Sequence, residues 1–105
     1  MVGLFIGSFN PPTKAHLEIC QMLKNRFQKI VFVPVNTKEK ELVSFKDRKM
    51  MLSFYTRRYQ FLEISDIMNN YSYFDFRILN LLKEKYQDVR IIMGSDILKD
   101  RKSVV

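Results

Sequence analysis

The 105-residue sequence has little of several residue types that mark specialised classes of protein. Its single cysteine, Cys20, excludes an intrachain disulfide and fits a reducing compartment. No apolar run approaches the ~20 residues that span a bilayer, and the opening run lacks the basic flank of a signal peptide. We therefore expect residues 1–105 to form one soluble, cytoplasmic domain without a membrane partner.

Sequence motifs for several other chemistries are also missing. There is no Cys/His cluster for zinc, no G-x-S-x-G and no G-x-x-x-x-G-K phosphate loop. The chain carries 18 Lys and Arg against 11 Asp and Glu, a net charge of +7, which favours anionic partners such as nucleotides. Because the basic residues are scattered rather than interleaved with aromatics along one stripe, a nucleic-acid partner is disfavoured.

Short apolar runs alternate with helical patterns along the chain. Strands are predicted at 2–6, 61–64 and 89–93. A further strand is predicted within the apolar run 30–35, where Pro34 either ends the strand or lies beside a sheet edge. Helices are predicted at about 13–27, from Ser44 to about 58, and after Asp75, because Ser44 and Asp75 stand at N-cap positions. This alternation predicts an α/β fold, a Rossmann-like parallel sheet with flanking helices, in which Cys20 packs in the core.

The stretch GSFNPPTKAH, residues 7–16, holds one of the three glycines, two of the three prolines and the only histidine. Parallel sheets bind ligands at the carboxyl ends of their strands, where this stretch begins and where residues 94–96 also lie. Gly7 has no Cβ, so a phosphate can approach the backbone, and Ser8 can add a hydroxyl. The stretch therefore predicts a nucleotide-phosphate site.

His16 lies on the same helical stripe as Ile19, Cys20 and Leu23. The spacing alone leaves two roles equally open for it. One is a packed, hydrogen-bonded core histidine, and the other is a donor to a phosphoryl oxygen from the first turn of the helix.

Other charged residues at this edge have open roles as well. Arg48 shares an apolar stripe with Phe45 and Leu52, so its guanidinium needs an anionic partner. A structural carboxylate is favoured over a ligand phosphate, and the candidates are Asp66 and Asp96.

Two possible roles are also open for each of Lys38, Lys40 and Asp96. Lys38 and Lys40 either reach phosphates or belong to a solvated loop. Asp96 either accepts from ribose hydroxyls or caps the segment that follows it.

Five stretches taken together resemble the nucleotidyltransferase family with an H-x-G-H or T-x-G-H signature, in its nicotinate- or nicotinamide-nucleotide adenylyltransferase branch. They run in family order at 7–17, 33–40, 44–48, 61–66 and 91–96. The resemblance implies that ATP and a pyridine mononucleotide bind at the strand ends with Mg²⁺. The mononucleotide phosphate then attacks the α-phosphorus of ATP and releases pyrophosphate, in the reaction of NAD biosynthesis.

The resemblance also implies roles for individual residues. His16 and Thr13 stand at the signature positions and are the expected catalytic residues. The expected nucleotide-binding residues are Gly7, Ser8, Phe9, Asn10, His16, Lys40, Gly94 and Asp96. The expected substrate-binding residues are Lys38, Arg48 and Asp75.

The chain departs from the family pattern in a few places. Ala15 replaces the glycine of the signature, and Asn10 replaces the usual aspartate of the phosphate loop. The family's Ser-Tyr-Thr segment, which helps to seat the pyridine ring, is only loosely echoed at 73–75, so nicotinate and nicotinamide mononucleotide are both open.

The family's C-terminal part, with its phosphate-binding segment, is missing. We therefore expect either a fragment or a short member that binds nucleotide without turnover. An exposed sheet edge would favour a homo-oligomer. Phosphopantetheine is the alternative acceptor.

Overall fold

The computed structural model describes residues 1–36, 44–71 and 74–93, in which strands and helices alternate along the chain. Their order is β1 (Val2–Gly7), α1 (Lys14–Leu23), β2 (Lys29–Pro34), α2 (Phe45–Thr56), β3 (Leu62–Ile64), a 3₁₀ helix (Ile67–Asn70), α3 (Phe76–Tyr86) and β4 (Val89–Met93). No helix in these ranges is long and apolar enough to cross a membrane.

The four strands of the described ranges form one sheet in the order β3-β2-β1-β4, and every neighbouring pair is parallel. In register, Leu4 of β1 lies between Val31 of β2 and Ile91 of β4. The predicted Rossmann-like α/β fold is therefore confirmed. Because the strands are parallel, Gly7, Pro34 and the ends of β3 and β4 meet at one edge of the sheet.

Helices cover both faces of the sheet and enclose two apolar clusters. Helices α1 and α2 pack on one face, while α3 and the 3₁₀ helix pack on the other. The first cluster comprises Phe5, Phe9, Ile19, Cys20, Phe27, Ile30, Phe32, Leu52, Leu62 and Ile92. The second comprises Val2, Leu4, Val31, Val33, Met68, Ile78, Leu82 and Val89. Central strands buried on both faces explain why β1 and β2 read as unbroken apolar runs.

The helix starts follow the predicted caps. The Ser44 hydroxyl accepts a hydrogen bond of 3.1 Å from the Asp47 amide, and α2 begins at the residue after Ser44.

The predicted α1 was too long at its C-terminal end, because the helix ends at Leu23 rather than Phe27. There Arg26 donates to the carbonyl of Leu23 in a tight turn, while Phe27 still packs in the core. The prediction that Pro34 ends its strand is confirmed, although β2 is an inner strand.

A polar network ties the edge strand β3 to its neighbours. Lys29 pairs with Glu63 at 2.9 Å, and the Tyr86 hydroxyl donates to the other Glu63 oxygen. Desolvation acts to raise the pKa of Glu63, but the bonds from Lys29 and Tyr86 outweigh it and leave that pKa below its usual value. Burial and the nearby Glu63 carboxylate raise the pKa of Tyr86, so it remains a donor. The network therefore links β2, β3 and the end of α3.

Candidate functional site

The loop after β1 turns sharply at the carboxyl edge of the sheet. The Val35 amide donates a 2.9 Å hydrogen bond to the carbonyl of Gly7, which ties the end of β1 to the exit of β2. Phe9 has a positive φ of 50°, and the Asn10–Pro11 peptide bond is cis. The His16 ring, in the first turn of α1, contacts the ring of Phe5 in β1, so the start of α1 lies beside that strand.

Phe9, which was predicted to bind nucleotide, packs in the core. Its side chain is 1% exposed, and its ring makes edge contacts with Phe5 and Phe32, both at 5.3 Å between centroids. The ring is therefore part of the core. The nucleotide-binding role of Phe9 stays a prediction.

The first turn of α1 is closed by two reciprocal hydrogen bonds between Thr13 and His16. The His16 amide donates to the Thr13 carbonyl at 3.1 Å, and the Thr13 amide donates to His16 Nδ1 at 2.9 Å. The Thr13 hydroxyl oxygen lies 3.2 Å from the same nitrogen. In a capping box a Glu or Gln usually fills this position, and here the imidazole does. The two predicted catalytic residues are thus in direct contact.

The imidazole of His16 lies half-buried against the aromatic core. Its centroid is 4.9 Å from that of Phe9 and 5.8 Å from that of Phe5, in edge-to-face geometry. Desolvation lowers the pKa of His16, which favours the neutral ring. Of the two roles that spacing left open, packing against the core is observed. A hydrogen bond to a phosphoryl oxygen from this first turn stays a prediction.

Cys20, one turn further along α1, is fully buried in the core, as predicted. Burial raises the pKa of the Cys20 thiol to about 12, so a thiolate nucleophile is strongly disfavoured there.

Arg48 joins the two loops that leave β1 and β2. Its side chain is buried, and Nη1 donates to the carbonyls of Ser8 and Val35, both at 2.8 Å. Nη2 donates to Asn36 Oδ1 at 2.7 Å. Burial lowers the pKa of Arg48, but a guanidinium titrates so high that it stays protonated at neutral pH. The three bonds place Ser8 and the β2 exit around one cation.

Arg48 bonds to structural partners, but the described ones are neutral oxygens and not the expected carboxylate of Asp66. Asp66 pairs with Lys49 at 2.6 Å, whereas the described partners of Arg48 are two carbonyls and an amide oxygen. The other carboxylate candidate, Asp96, lies outside the described residues. Whether Arg48 also contacts substrate stays a prediction.

Asp75 caps α3, as its sequence position predicted. One carboxylate oxygen accepts from the amides of Arg77 and Ile78 at 3.0 and 3.3 Å, and the other pairs with the Arg77 guanidinium at 3.1 Å. The hydrogen bond from Arg77 is the main reason why the pKa of Asp75 lies below its usual value. Its substrate-binding role stays a prediction.

An open, mostly apolar concavity of about 440 Å³ lies beside this cap. It is lined by Phe74, Asp75, Phe76, Leu79 and Ile91. The concavity therefore lies between the start of α3 and the edge strand β4.

Several predicted residues lie outside the described part of the chain. They are Lys38, Lys40, Gly94 and Asp96. Within the described ranges, His, Cys, Asp and Glu form no group of three or more that could hold a metal ion. Thr13 and His16 are in contact in the first turn of α1. Gly7 ends β1, and Ser8 and Asn10 belong to the loop that leads from β1 to that turn. Arg48 donates to the Ser8 carbonyl of this loop.

Asn36 was not singled out from the sequence, although it is a partner of Arg48. Its position directly after β2, at the sheet edge where Ser8 follows β1, was the available signal. The sequence holds no signal for the carbonyls of Ser8 and Val35, because every residue has a main-chain carbonyl.

Comparison with known proteins gives a family match across the chain. A model described as cytidylyltransferase-like matches residues 4–104. A probable nicotinate-nucleotide adenylyltransferase of Acholeplasma laidlawii is 33% identical over 105 positions, covering 94% of this chain and 56% of the relative. A phosphopantetheine adenylyltransferase of Natranaerobius thermophilus is 30% identical over 98 positions, covering 92% and 56%. The chain thus spans about half the length of these curated relatives.

Solved structures share the fold. The nicotinic acid mononucleotide adenylyltransferase of Plasmodium falciparum, complexed with NaAD, superposes with a TM-score of 0.73 at 21% identity, over 97% of this chain and 55% of that one. A putative nicotinate-nucleotide adenylyltransferase of Vibrio parahaemolyticus gives a TM-score of 0.71 at 17% identity, over 96% and 62%.

Proposed function

Because the chain belongs to the cytidylyltransferase-like family, we propose that it transfers the adenylyl group of ATP to nicotinate or nicotinamide mononucleotide. The products are the dinucleotide and pyrophosphate. The observation that carries the proposal is the position of His16, in the first turn of α1 beside the Gly7–Ser8 loop at the carboxyl edge of the sheet. A helix start at this edge is where Rossmann-like folds hold nucleotide phosphates.

In the proposed reaction, the mononucleotide phosphate attacks the α-phosphorus of ATP in line, and pyrophosphate leaves from the opposite side. Catalysis then consists of positioning and charge stabilisation. The main chain at Gly7 and Ser8 and the start of α1 face the phosphates, and His16 donates a hydrogen bond to a phosphoryl oxygen. Magnesium enters as part of the MgATP substrate.

Two observations bear on the acceptor. The apolar concavity at the start of α3, with Phe74, Leu79 and Ile91 in its lining, suits a planar pyridine ring next to the strand ends. The relative from Natranaerobius favours a second candidate, transfer to phosphopantetheine. A third candidate, which the sequence also leaves open, is nucleotide binding without turnover.

The test is pyrophosphate release by the purified protein with MgATP and one acceptor at a time. We expect turnover with a pyridine mononucleotide and little with phosphopantetheine. Turnover with phosphopantetheine alone would replace the first acceptor by the second, and ATP binding without pyrophosphate from any acceptor would support the third candidate.

The His16→Ala variant tests the residue that carries the proposal. Loss of one preorganised donor to the transferring group lowers kcat by roughly 10²–10³-fold. Glu18→Gln, an exposed change on the same helix, is the matched control and should keep wild-type turnover. Full activity of His16→Ala would contradict the proposed role.

A further inference from the structure

The contact between Thr13 and His16 constrains where the imidazole carries its proton. A main-chain N–H is a donor only, so the ring nitrogen that it meets must present a lone pair. The Thr13 amide meets Nδ1 at 2.9 Å. In the neutral ring, one nitrogen carries hydrogen and the other accepts, so a lone pair on Nδ1 places the hydrogen on Nε2.

From this geometry we propose that Thr13 is a positioning residue whose backbone amide holds His16 as the neutral Nε2–H tautomer. The proposal rests on the proposed function for its purpose, because the tautomer matters only if Nε2–H faces a phosphate. In that role His16 gives one hydrogen bond to a phosphoryl oxygen and retains its proton throughout the transfer. It acts as a fixed dipole rather than as an acid or a base.

The aromatic core keeps the ring in the orientation that this contact needs. The edge contacts with Phe9 at 4.9 Å and Phe5 at 5.8 Å restrict a flip of the imidazole that would exchange Nδ1 with a ring carbon. A flipped ring would also leave the Thr13 amide without its acceptor at the helix start. The lowered pKa of His16 agrees with a neutral ring.

The Thr13 hydroxyl could achieve part of the same effect, since Oγ1 lies 3.2 Å from Nδ1. A hydroxyl, however, can donate to Nδ1 or accept from it, and so does not select a tautomer. The backbone amide does select one. The two contributions can therefore be separated by variants that remove either the hydroxyl or the N–H.

The tautomer can be measured directly, because His16 is the only histidine of the chain. In ligand-free, ¹⁵N-labelled protein at a pH where the ring is neutral, ring ¹⁵N shifts and long-range ¹H–¹⁵N correlations assign the protonated nitrogen. We expect the hydrogen on Nε2, together with a scalar coupling across the hydrogen bond from the Thr13 amide nitrogen to Nδ1. A predominant Nδ1–H tautomer or an even mixture would overturn the proposal.

Two substitutions complete the test. Thr13→Val keeps the N–H and loses the hydroxyl, so the Nε2–H tautomer should persist. Thr13→Pro removes the N–H, so the preference and the coupling should disappear in any variant whose amide spectrum shows a folded sheet. A tautomer lost in Thr13→Val would assign the effect to the hydroxyl and overturn the role of the amide.

The scalar coupling in the wild-type protein needs no substitution. It therefore still tests the proposal if Thr13→Pro does not fold. Because these readouts use ligand-free protein, absence of adenylyl transfer leaves the tautomer result unaffected. The proposed function and this inference can therefore fail separately.

Discussion

Arg48, on α2, donates a 2.8 Å hydrogen bond to the carbonyl of Ser8, forty positions earlier in the chain. The same Nη1 atom also donates to the carbonyl of Val35 at the β2 exit. One buried cation thus sets the distance between the loops that leave the two central strands. Helix α2 therefore anchors the loops that follow β1 and β2.

Removing this cation should destabilise the fold. In Arg48→Met, the carbonyls of Ser8 and Val35 lose their donor in a partly buried position, and each unsatisfied acceptor costs roughly 1–3 kcal/mol. We expect the free energy of unfolding in urea to fall by about 2 kcal/mol or more. Arg48→Lys keeps the charge but lacks the planar guanidinium that reaches several acceptors. Its free energy of unfolding should therefore lie between those of the wild type and Arg48→Met.

The control for this change is Lys46→Met, which removes an exposed cation from the first turn of the same helix. Its free energy of unfolding should stay within about 0.5 kcal/mol of the wild type. Equal losses in both variants would mean that the buried bonds contribute nothing specific.

Gly7→Ala tests whether the loop backbone needs room for a ligand. A Cβ at Gly7 would lie 3.5 Å from Phe9 Cζ, an ordinary contact, so the folded chain should accept it with its urea midpoint nearly unchanged. If a phosphate approaches this backbone, the added methyl group crowds it, and the Kd for ATP measured by calorimetry should rise about tenfold, or ~1.4 kcal/mol.

Gly3→Ala gives the reciprocal control for that experiment. A Cβ there would lie 2.8 Å from Ile92 Cδ1 and 3.2 Å from Phe27 Cδ2, far from the loop. It should lower the urea midpoint through overpacking while the folded protein keeps its affinity for ATP. Unchanged ATP affinity in Gly7→Ala would place the phosphates elsewhere.

The Glu63 network predicts a pH dependence of stability. The pKa of Glu63 is lower in the folded state than its unfolded value of about 4.3, so the carboxylate stabilises the fold above that pH. This contribution is lost as the pH falls through the folded-state pKa. Glu63→Gln should therefore be less stable than the wild type at neutral pH, and the gap should narrow on acidification. Urea titrations at several pH values measure it.

Glu84→Gln is the matched control, an exposed carboxyl change on the helix that carries Tyr86. Its free energy of unfolding at neutral pH should stay within about 0.5 kcal/mol of the wild type. A gap between Glu63→Gln and the wild type that is constant from neutral to acid pH would argue against the network as its source.

The order of the secondary-structure elements was predictable largely because the central strands β1 and β2 are buried on two faces, while α1 and α3 each bury one stripe. These patterns appear as unbroken apolar runs and as three- and four-residue spacings. The end of α1 was not predictable, since Phe27 continues the apolar spacing although the chain has already left the helix. The 3₁₀ helix also has no periodicity of its own, and Met68 is its only residue buried in the core.

The candidate site was predictable as far as it depends on strand ends and side-chain type. Gly7, Thr13 and His16 lie at the edge that the parallel sheet required. Two sets of hydrogen bonds were not predictable: the one from the Thr13 amide to His16, and those from Arg48 to two carbonyls. They involve main-chain groups, which nearly all residues share, so the sequence does not show where they form. The buried ring of Phe9 depends on a positive φ that an aromatic residue rarely adopts.

The buried thiol of Cys20 allows separation of α1 from the sheet to be measured by chemical labelling. Cys20 is fully buried under α1, four residues after His16, and its pKa is about 12. A thiol reagent can therefore react with the chain only when α1 separates from the sheet, and the rate of labelling measures how often this happens. Because Cys20 is native, no cysteine has to be engineered for this measurement. A nucleotide bound at the start of α1, as proposed, should slow the labelling, so that its binding can be followed without any assay of turnover.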